Sequence, residues 1–271
     1  MKKTIMLTGA TDGIGLETAK SLAALGHDIL LHGRNADKLA ALKSQLSSES
    51  TQSKLYSYIA DLSIMEQVKQ LALTIKQEHS RLDVLINNAG IYMTADKVSA
   101  DGFDIRFAVN TFAPYLLTKE LLPLFNNSGR VINVSSAAQA PVEPDDLTKT
   151  ESFSDGSAYA KSKLAITMWS RKLALDLGTN GPAIIAVNPA SLLGSKMVQQ
   201  AYGVAGGDLK IGADILVRAA LSDEFASASG EYFDNDSGQF GSPHKDALDL
   251  NKITHLTSTM DNILAKHTRY H

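Results

Sequence analysis

The sequence has no cysteine among its 271 residues. Disulfides, thiolate nucleophiles and cysteine-based metal sites are therefore excluded, which fits a reducing compartment. Long apolar runs are missing as well. The opening stretch MKKTIMLTGATDGIG sets two lysines before an apolar run. However, TIML is too short for a signal peptide, and Gly9 and Asp12 interrupt it. Nothing approaches the ~20 apolar residues of a membrane helix, so a cytoplasmic location without a membrane partner is expected. Strong charge is lacking too. A net charge of −3 offers no face for a polyanion, and nucleic acid is not an expected partner. The seven histidines form no ligand cluster, and no metal site is expected.

What is present is an ordinary soluble composition, 44% hydrophobic and 20% charged, enough for a sizeable core. Short apolar runs alternate with longer helical patterns. TIMLTG precedes a helical segment from Ile14 to Leu25, DILLHG precedes ADKLAALKSQL, and KLYSYIADL precedes MEQVKQLALTIKQEH. LDVLINNAG precedes FDIRFAVNTFAPYLLTKELLPLF, GRVINVSS precedes AYAKSKLAITMWSRKLALDLG, and PAIIAVNP precedes IGADILVRAAL. GEYFDNDSG reads as a last short strand, and a final helix is expected near residues 253–266. This alternation predicts an α/β fold, a parallel sheet with helices on both faces. No linker rich in Pro, Gly or Ser divides residues 1–271, so one domain is expected. Two longer segments, 139–156 and 190–209, interrupt the rhythm. Both follow strands at the ends where open α/β sheets bind ligands, so both are expected to wall a substrate pocket.

TGATDGIG, Thr8 to Gly15, sets Gly9, Gly13 and Gly15 between the first strand and the first helix. Such a turn bends sharply and lets a pyrophosphate approach the backbone. The helix behind it offers free N–H groups and the positive end of its dipole. Thr11, Asp12 and Ile14 share the turn. At the end of the second strand, a site for NAD usually carries an acid for the ribose 2′-OH. Here LHGRN sets Gly33 at about that place, followed by Arg34 and Asn35. A guanidinium pairs well with phosphate. NADP(H) is therefore the expected cofactor, with Arg34 on its 2′-phosphate. Asp12 works against a phosphate, so the preference is expected to be modest and NAD(H) to be accepted as well.

Two tyrosine–lysine pairs share one spacing: Tyr115 and Lys119 in YLLTK, Tyr159 and Lys163 in YAKSK. Four helical residues rise ~6 Å and nearly complete a turn, so each pair shares a face. A free phenol has a pKa of ~10, and a nearby ammonium favours its ionised form, which suits it to acid–base work nearer neutrality. Tyr115 lies among apolar residues at helical spacing, a core pattern. Tyr159 is flanked by Ala158 and Ala160, small neighbours that leave a phenol reachable.

TGATDGIG, NNAG at 87–90, NVSS at 133–136 and YAKSK, in this order, resemble the short-chain dehydrogenase/reductase family over nearly the whole chain. AYAKSKLAITMWSRKLA, after an enlarged loop, is similar to the retinol dehydrogenase and protochlorophyllide reductase-like branch. The resemblance implies a single-domain, Rossmann-type, doubly wound parallel sheet of about seven strands, and a nicotinamide cofactor. It also implies a catalytic set that falls on Asn110, Ser136, Tyr159 and Lys163. Tyr159 would exchange a proton with the substrate oxygen, tuned by Lys163. Ser136 would hold that oxygen, with adjacent Ser135 as the rival. Asn110 would hold a water linking Lys163 to solvent. Asp61 would face the adenine amino group, with Leu62 beside the ring. Asn88, Ala89 and Gly90 would line the ribose side, Asn87 is read as structural, and Ile14 would offer its N–H to the pyrophosphate. One departure stands out. Where the family has Pro-Gly and then a Thr, this chain has Pro189-Ala190, with Gly194 about at the Thr position. Pro189, Leu192 and Ser195 are the expected substitutes around the nicotinamide carboxamide.

The implied activity interconverts a carbonyl and an alcohol on a small molecule. A non-enzymatic NADP(H) sensor would need the glycine turn but not the tyrosine–lysine pair. An epimerase or dehydratase on the same fold is the other alternative. Tyr92, Met93, Met197, Val198, Tyr202 and Val204 suggest an apolar lining and a lipophilic substrate. Family members are often dimers or tetramers, so a homodimer or homotetramer is expected, built on the helices carrying Asn110 and Tyr159.

Overall fold

The computed structural model describes residues 1–150 and 153–267, with the backbone alone at 202. The strands are β1 (Thr4–Leu7), β2 (Asp28–Gly33), β3 (Leu55–Ile59), β4 (Val84–Asn87), β5 (Arg130–Val134), β6 (Ala183–Asn188), β7 (Tyr232–Asp234) and β8 (Gln239–Gly241). They form one sheet in the order β3-β2-β1-β4-β5-β6-β7-β8. Pairing is parallel from β3 through β7, whereas β8 lies antiparallel to β7. The seven parallel strands are the expected ones, and β8 is an addition. It holds on through Phe240, whose ring packs 5.0 Å from Phe225 and 5.1 Å from Phe233.

The helices are α1 (Gly13–Ala24), α2 (Ala36–Glu49), α3 (Met65–Glu78), α4 (Ile105–Phe107), α5 (Ala113–Leu121), α6 (Asp155–Leu177), α7 (Lys196–Tyr202), α8 (Leu209–Leu221) and α9 (Leu250–His267). Alternation along the strands sends side chains to two cores. Met6, Leu85, Val131 and Ile184 join the buried faces of α3, α5, α6 and α9. Ile5, Leu7, Val84, Ile86, Ile132, Ile185 and Val187 join those of α1, α2 and α8. The chain reverses its winding between β1 and β4, and in doubly wound sheets the crevice at that point takes the ligand. Among the described residues no helix is long and apolar enough to cross a membrane.

The pattern over residues 103–125 predicts one helix, but the structure breaks it. A π-helical turn over Ala108–Phe112 separates α4 from α5, and a 3-10 turn follows at Leu122–Leu124. Pro114 has no N–H to give the Asn110 carbonyl, which favours the wider turn closed by Ala113 N–H on Ala108 O. Asn110 sits at the middle of that turn. A buried guanidinium fastens the region: Arg106 meets Asp104 at 2.7 Å and Asp155, the first residue of α6, at 2.8 Å. The α9 helix packs along α6, and its Asp261 accepts from Tyr115 Oη at 2.9 Å and from Lys119 at 2.7 Å. Any assembly built on these helices must share their surface with α9.

Candidate active site

A cavity of about 820 Å³ opens at the carboxyl ends of the parallel strands. Its wall includes every expected catalytic and cofactor-binding residue except Asn35 and Asn110. The glycine turn forms one side. A Cβ on Gly9 (φ +67°) would stand 2.9 Å from Ala89 Cα, and one on Gly15 would stand 2.1 Å from Gly9 O. No larger residue fits either place. Two neighbours hold the turn. Asn88 Nδ2 donates to Thr8 O at 2.9 Å, while the Asn88 and Ala89 amides donate to Thr8 Oγ1. From β2, His32 Nδ1 accepts the Gly9 N–H at 3.3 Å, so its Nε2 carries the proton and donates to Ala60 O at 3.1 Å. Burial pushes this imidazole down to about 4, in keeping with the neutral tautomer. His32 was not an expected site residue; a histidine inside the apolar run DILLHG was the available signal.

At the end of β2, a Cβ on Gly33 would stand 2.8 Å from the Thr11 methyl. An acidic side chain therefore does not fit there unless Thr11 moves. Arg34 is exposed and lines the cavity, and so does Lys38 on the first turn of α2. Asn35 lies outside the wall, because its Oδ1 caps α2 by accepting the Lys38 N–H at 2.9 Å. Beyond the end of the neighbouring strand β3, Asp61 binds the Ser63 amide and hydroxyl at 2.9 and 2.7 Å. Asp12 caps α1 through Gly13 N–H at 2.9 Å and pairs with Lys196 of α7 at 2.5 Å. This cation, missed in the sequence, offsets the charge that was expected to oppose a phosphate.

The two tyrosine–lysine pairs part company in the structure. Tyr159 and Lys163 both line the cavity. Lys163 is buried, donates from Nζ to Val134 O at 2.6 Å, and lies 5.7 Å from the centre of the Tyr159 ring. Burial pushes its ammonium down to about 8. Tyr115 is buried outside the wall, and burial followed by the Asp261 carboxylate raises its phenol above the ordinary value. That is the opposite of what a proton donor needs. Ser135 is buried and its Oγ meets Lys163 O at 3.1 Å and Thr167 Oγ1 at 2.7 Å, which ties β5 to α6. Ser136 is half-buried on the wall and accepts the Ala138 N–H at 3.1 Å. Asn110 bonds both backbone groups of Ile91 at 2.9 Å and donates to Ser162 Oγ at 3.0 Å. A Cβ built on Gly90 would stand 3.4 Å from Asn110 Oδ1 and 3.5 Å from Lys163 Nζ. Asn87 is structural, bonding Asn133 at 2.8 Å and Thr118 at 3.0 Å.

The two long segments also differ. Residues 189–198 supply much of the remaining wall, including Met197 and Val198, and Tyr92 and Met93 line the same cavity. Gly194 fits where the family has Thr because a Cβ would stand 2.8 Å from Ala205 O and 2.9 Å from Gly207 O. Ser195 Oγ caps α7 by accepting Val198 N–H at 3.3 Å. Val204 is exposed and off the wall, and the side chain of Tyr202 lies outside the described residues. The described part of 139–156 does not line the cavity, contrary to expectation. Val142 and Leu147 are buried in the core shared with α9, and Lys161 holds the segment through Pro141 O at 2.6 Å and Asp146 at 2.8 Å.

Comparison with known proteins agrees with this geometry. A family model described as short chain dehydrogenase matches residues 3–203. Human retinol dehydrogenase 13 is 31% identical over 251 residues, covering 86% of this chain and 76% of that protein. Human polyprenol dehydrogenase is 35% identical over 192 residues, 68% of this chain but only 58% of that protein. A solved short chain dehydrogenase of Shigella flexneri complexed with NADP is 27% identical with a TM-score of 0.69, covering 86% of this chain and 97% of its own. The chain belongs to the short chain dehydrogenase family and is an oxidoreductase.

Proposed function

We propose that this chain interconverts a carbonyl and an alcohol with NADP(H), with Tyr159 as general acid and base. The observation that carries the reading is the buried Lys163 cation beside Tyr159, in the same cavity as the glycine turn. The cradle around Gly9 and Gly15, too tight for any side chain, fits the close approach of a pyrophosphate. The cofactor, when bound, supplies or takes the hydride. Tyr159 passes a proton to the carbonyl oxygen in reduction and takes it back from the alcohol in oxidation. Lys163 favours the phenolate by its charge. Ser136 accepts from Ala138, which leaves its own O–H to donate to the substrate oxygen. Asn110 holds a water that relays protons between Lys163 and solvent.

Arg34 and Lys38 bind the 2′-phosphate, and the lack of room for an acid at Gly33 supports NADP over NAD. The NADP complex of the Shigella relative supports the same choice. The apolar wall around Met93, Met197 and Val198 supports a lipophilic substrate, as do relatives named for retinol and polyprenol. The test is to measure KM for NADPH and NADH in wild type and Arg34→Ala. A charge-assisted phosphate contact is worth about 1.5–3 kcal/mol. The KM for NADPH should therefore rise ~10-fold or more while that for NADH stays within ~2-fold. Equal changes would sink the assignment of Arg34.

A further inference from the structure

We propose that Asp236, on the turn between β7 and β8, is a positioning residue that clamps the strained turn 189–192 against the cavity. The inference rests on the reading of this cavity as a nicotinamide dinucleotide site.

Ala190 (φ 122°) and Leu192 (φ 51°) are the only non-glycine residues with positive φ among the described residues. Side chains disfavour that region, so such residues persist only where their surroundings hold them. Glycine adopts it freely, but this chain carries alanine at 190. Ser191 lies between the two strained residues. Its N–H donates to Asp236 Oδ1 at 2.8 Å and its hydroxyl to Oδ2 at 2.5 Å. The same carboxylate accepts from Asn188 Nδ2 at 2.9 Å, and that amide also donates to Asp234 at 2.8 Å. Next in the turn, Asn235 Nδ2 donates to Pro189 O at 3.0 Å. The tip of the β7–β8 hairpin therefore grips residues 188, 189 and 191 from outside.

The carboxylate suits the task because all its partners are donors. Burial pushes its proton affinity up, but the bonds from Ser191 and Asn188 outweigh that and leave the group below the ordinary carboxylate range. On the opposite side, Pro189, Ala190, Ser191 and Leu192 all face the cavity. Leu192 O then accepts the Gly207 N–H at 2.8 Å, which passes the geometry on to the loop before α8. Without the clamp, Ala190 is free to return to negative φ, and the wall competent for the cofactor becomes a minor conformation. A binding site populated only in part shows a weaker apparent affinity in proportion.

A double-mutant cycle reads this directly. NADPH dissociation constants are measured for wild type, Asp236→Ala, Ala190→Gly and the double variant. Asp236→Ala should weaken NADPH binding ~10-fold, with turnover at saturating NADPH within ~2-fold. In the Ala190→Gly background the same change should weaken binding no more than ~3-fold, because glycine holds positive φ unaided. A ~10-fold loss in both backgrounds, or none in either, overturns the clamp. A crystal structure of cofactor-free Asp236→Ala decides the matter without NADPH. Ala190 should have left positive φ, and an unchanged turn overturns the inference. A wild type that does not bind NADPH would instead overturn the cofactor reading, and the crystallographic result on the clamp would still stand.

Discussion

Replacing Lys163 with Met should abolish turnover and, at neutral pH, stabilise the fold. Lys163 is 3% exposed, and burial pushes its ammonium from 10.5 to about 8. At about 1.4 kcal/mol for each tenfold change in proton affinity, that is a penalty of about 3 kcal/mol on the charged form at pH 7. Methionine fills a similar volume without charge but loses the 2.6 Å charge-assisted bond to Val134 O, worth about 1.5–3 kcal/mol. The expected net gain is about 1 kcal/mol. The pH dependence supplies an independent sign. Between about pH 8 and 10.5 the unfolded lysine keeps a proton that the folded one has released. Wild-type stability should therefore rise with pH through that window, and the full penalty should be present below it. Lys163→Met should lack that slope. Urea unfolding of both proteins at pH 7 and 9.5 measures both effects. A variant less stable than wild type at pH 7, or one with the same slope, would refute the idea that a costly buried cation is retained here for chemistry.

Two further outcomes are expected. Burial pushes the His32 imidazole from 6.5 to about 4, so the folded state favours the neutral ring. Its stabilisation is complete above pH 6.5 and is lost by about 3 kcal/mol as pH falls toward 4. His32→Asn should flatten that part of a urea-midpoint profile, and an unchanged fall would contradict the assignment. Tyr115→Phe loses only the bond to Asp261, outside the cavity. Its kcat should stay within ~2-fold of wild type, with about 1 kcal/mol lost in stability. A tenfold fall in kcat would restore Tyr115 as a rival to Tyr159.

The parts of the fold visible in the sequence are those written by local pattern. DILLHG is β2 at its expected bounds because its apolar run is closed by the glycine at the cofactor end. The helix over 103–125 misled because its apolar spacing continues across the break. Pro114 was the visible cause, but a proline near a helix start also reads as a favourable first-turn residue. The three-residue β8 carries one large apolar side chain and depends on Phe225 and Phe233, which no local window links to it. Segment 139–156 reads as a polar loop, yet Val142 and Leu147 find their burial against α9, about a hundred residues on. At the site, the glycine turn was visible in the local sequence, whereas most of the other expected wall residues came from the family resemblance. Roles set by distant neighbours were not legible. Asn35 has the chemistry of both a ligand and a cap, and only the Lys38 amide decides between them. Gly194 makes sense only against the carbonyls of Ala205 and Gly207. Lys196 lines the cavity, and its pairing with Asp12, far away in the sequence, is visible only in the fold.

The central claim is that Tyr159, held beside Lys163, moves the proton. NADPH consumption by wild type and Tyr159→Phe against a panel of lipophilic aldehydes and ketones, with NADPH affinity measured alongside, tests it most directly. Loss of a general acid at this position should lower turnover by ~10²-fold or more, with NADPH affinity within ~3-fold of wild type. A phenylalanine variant that binds NADPH and turns over as fast as wild type would contradict the claim.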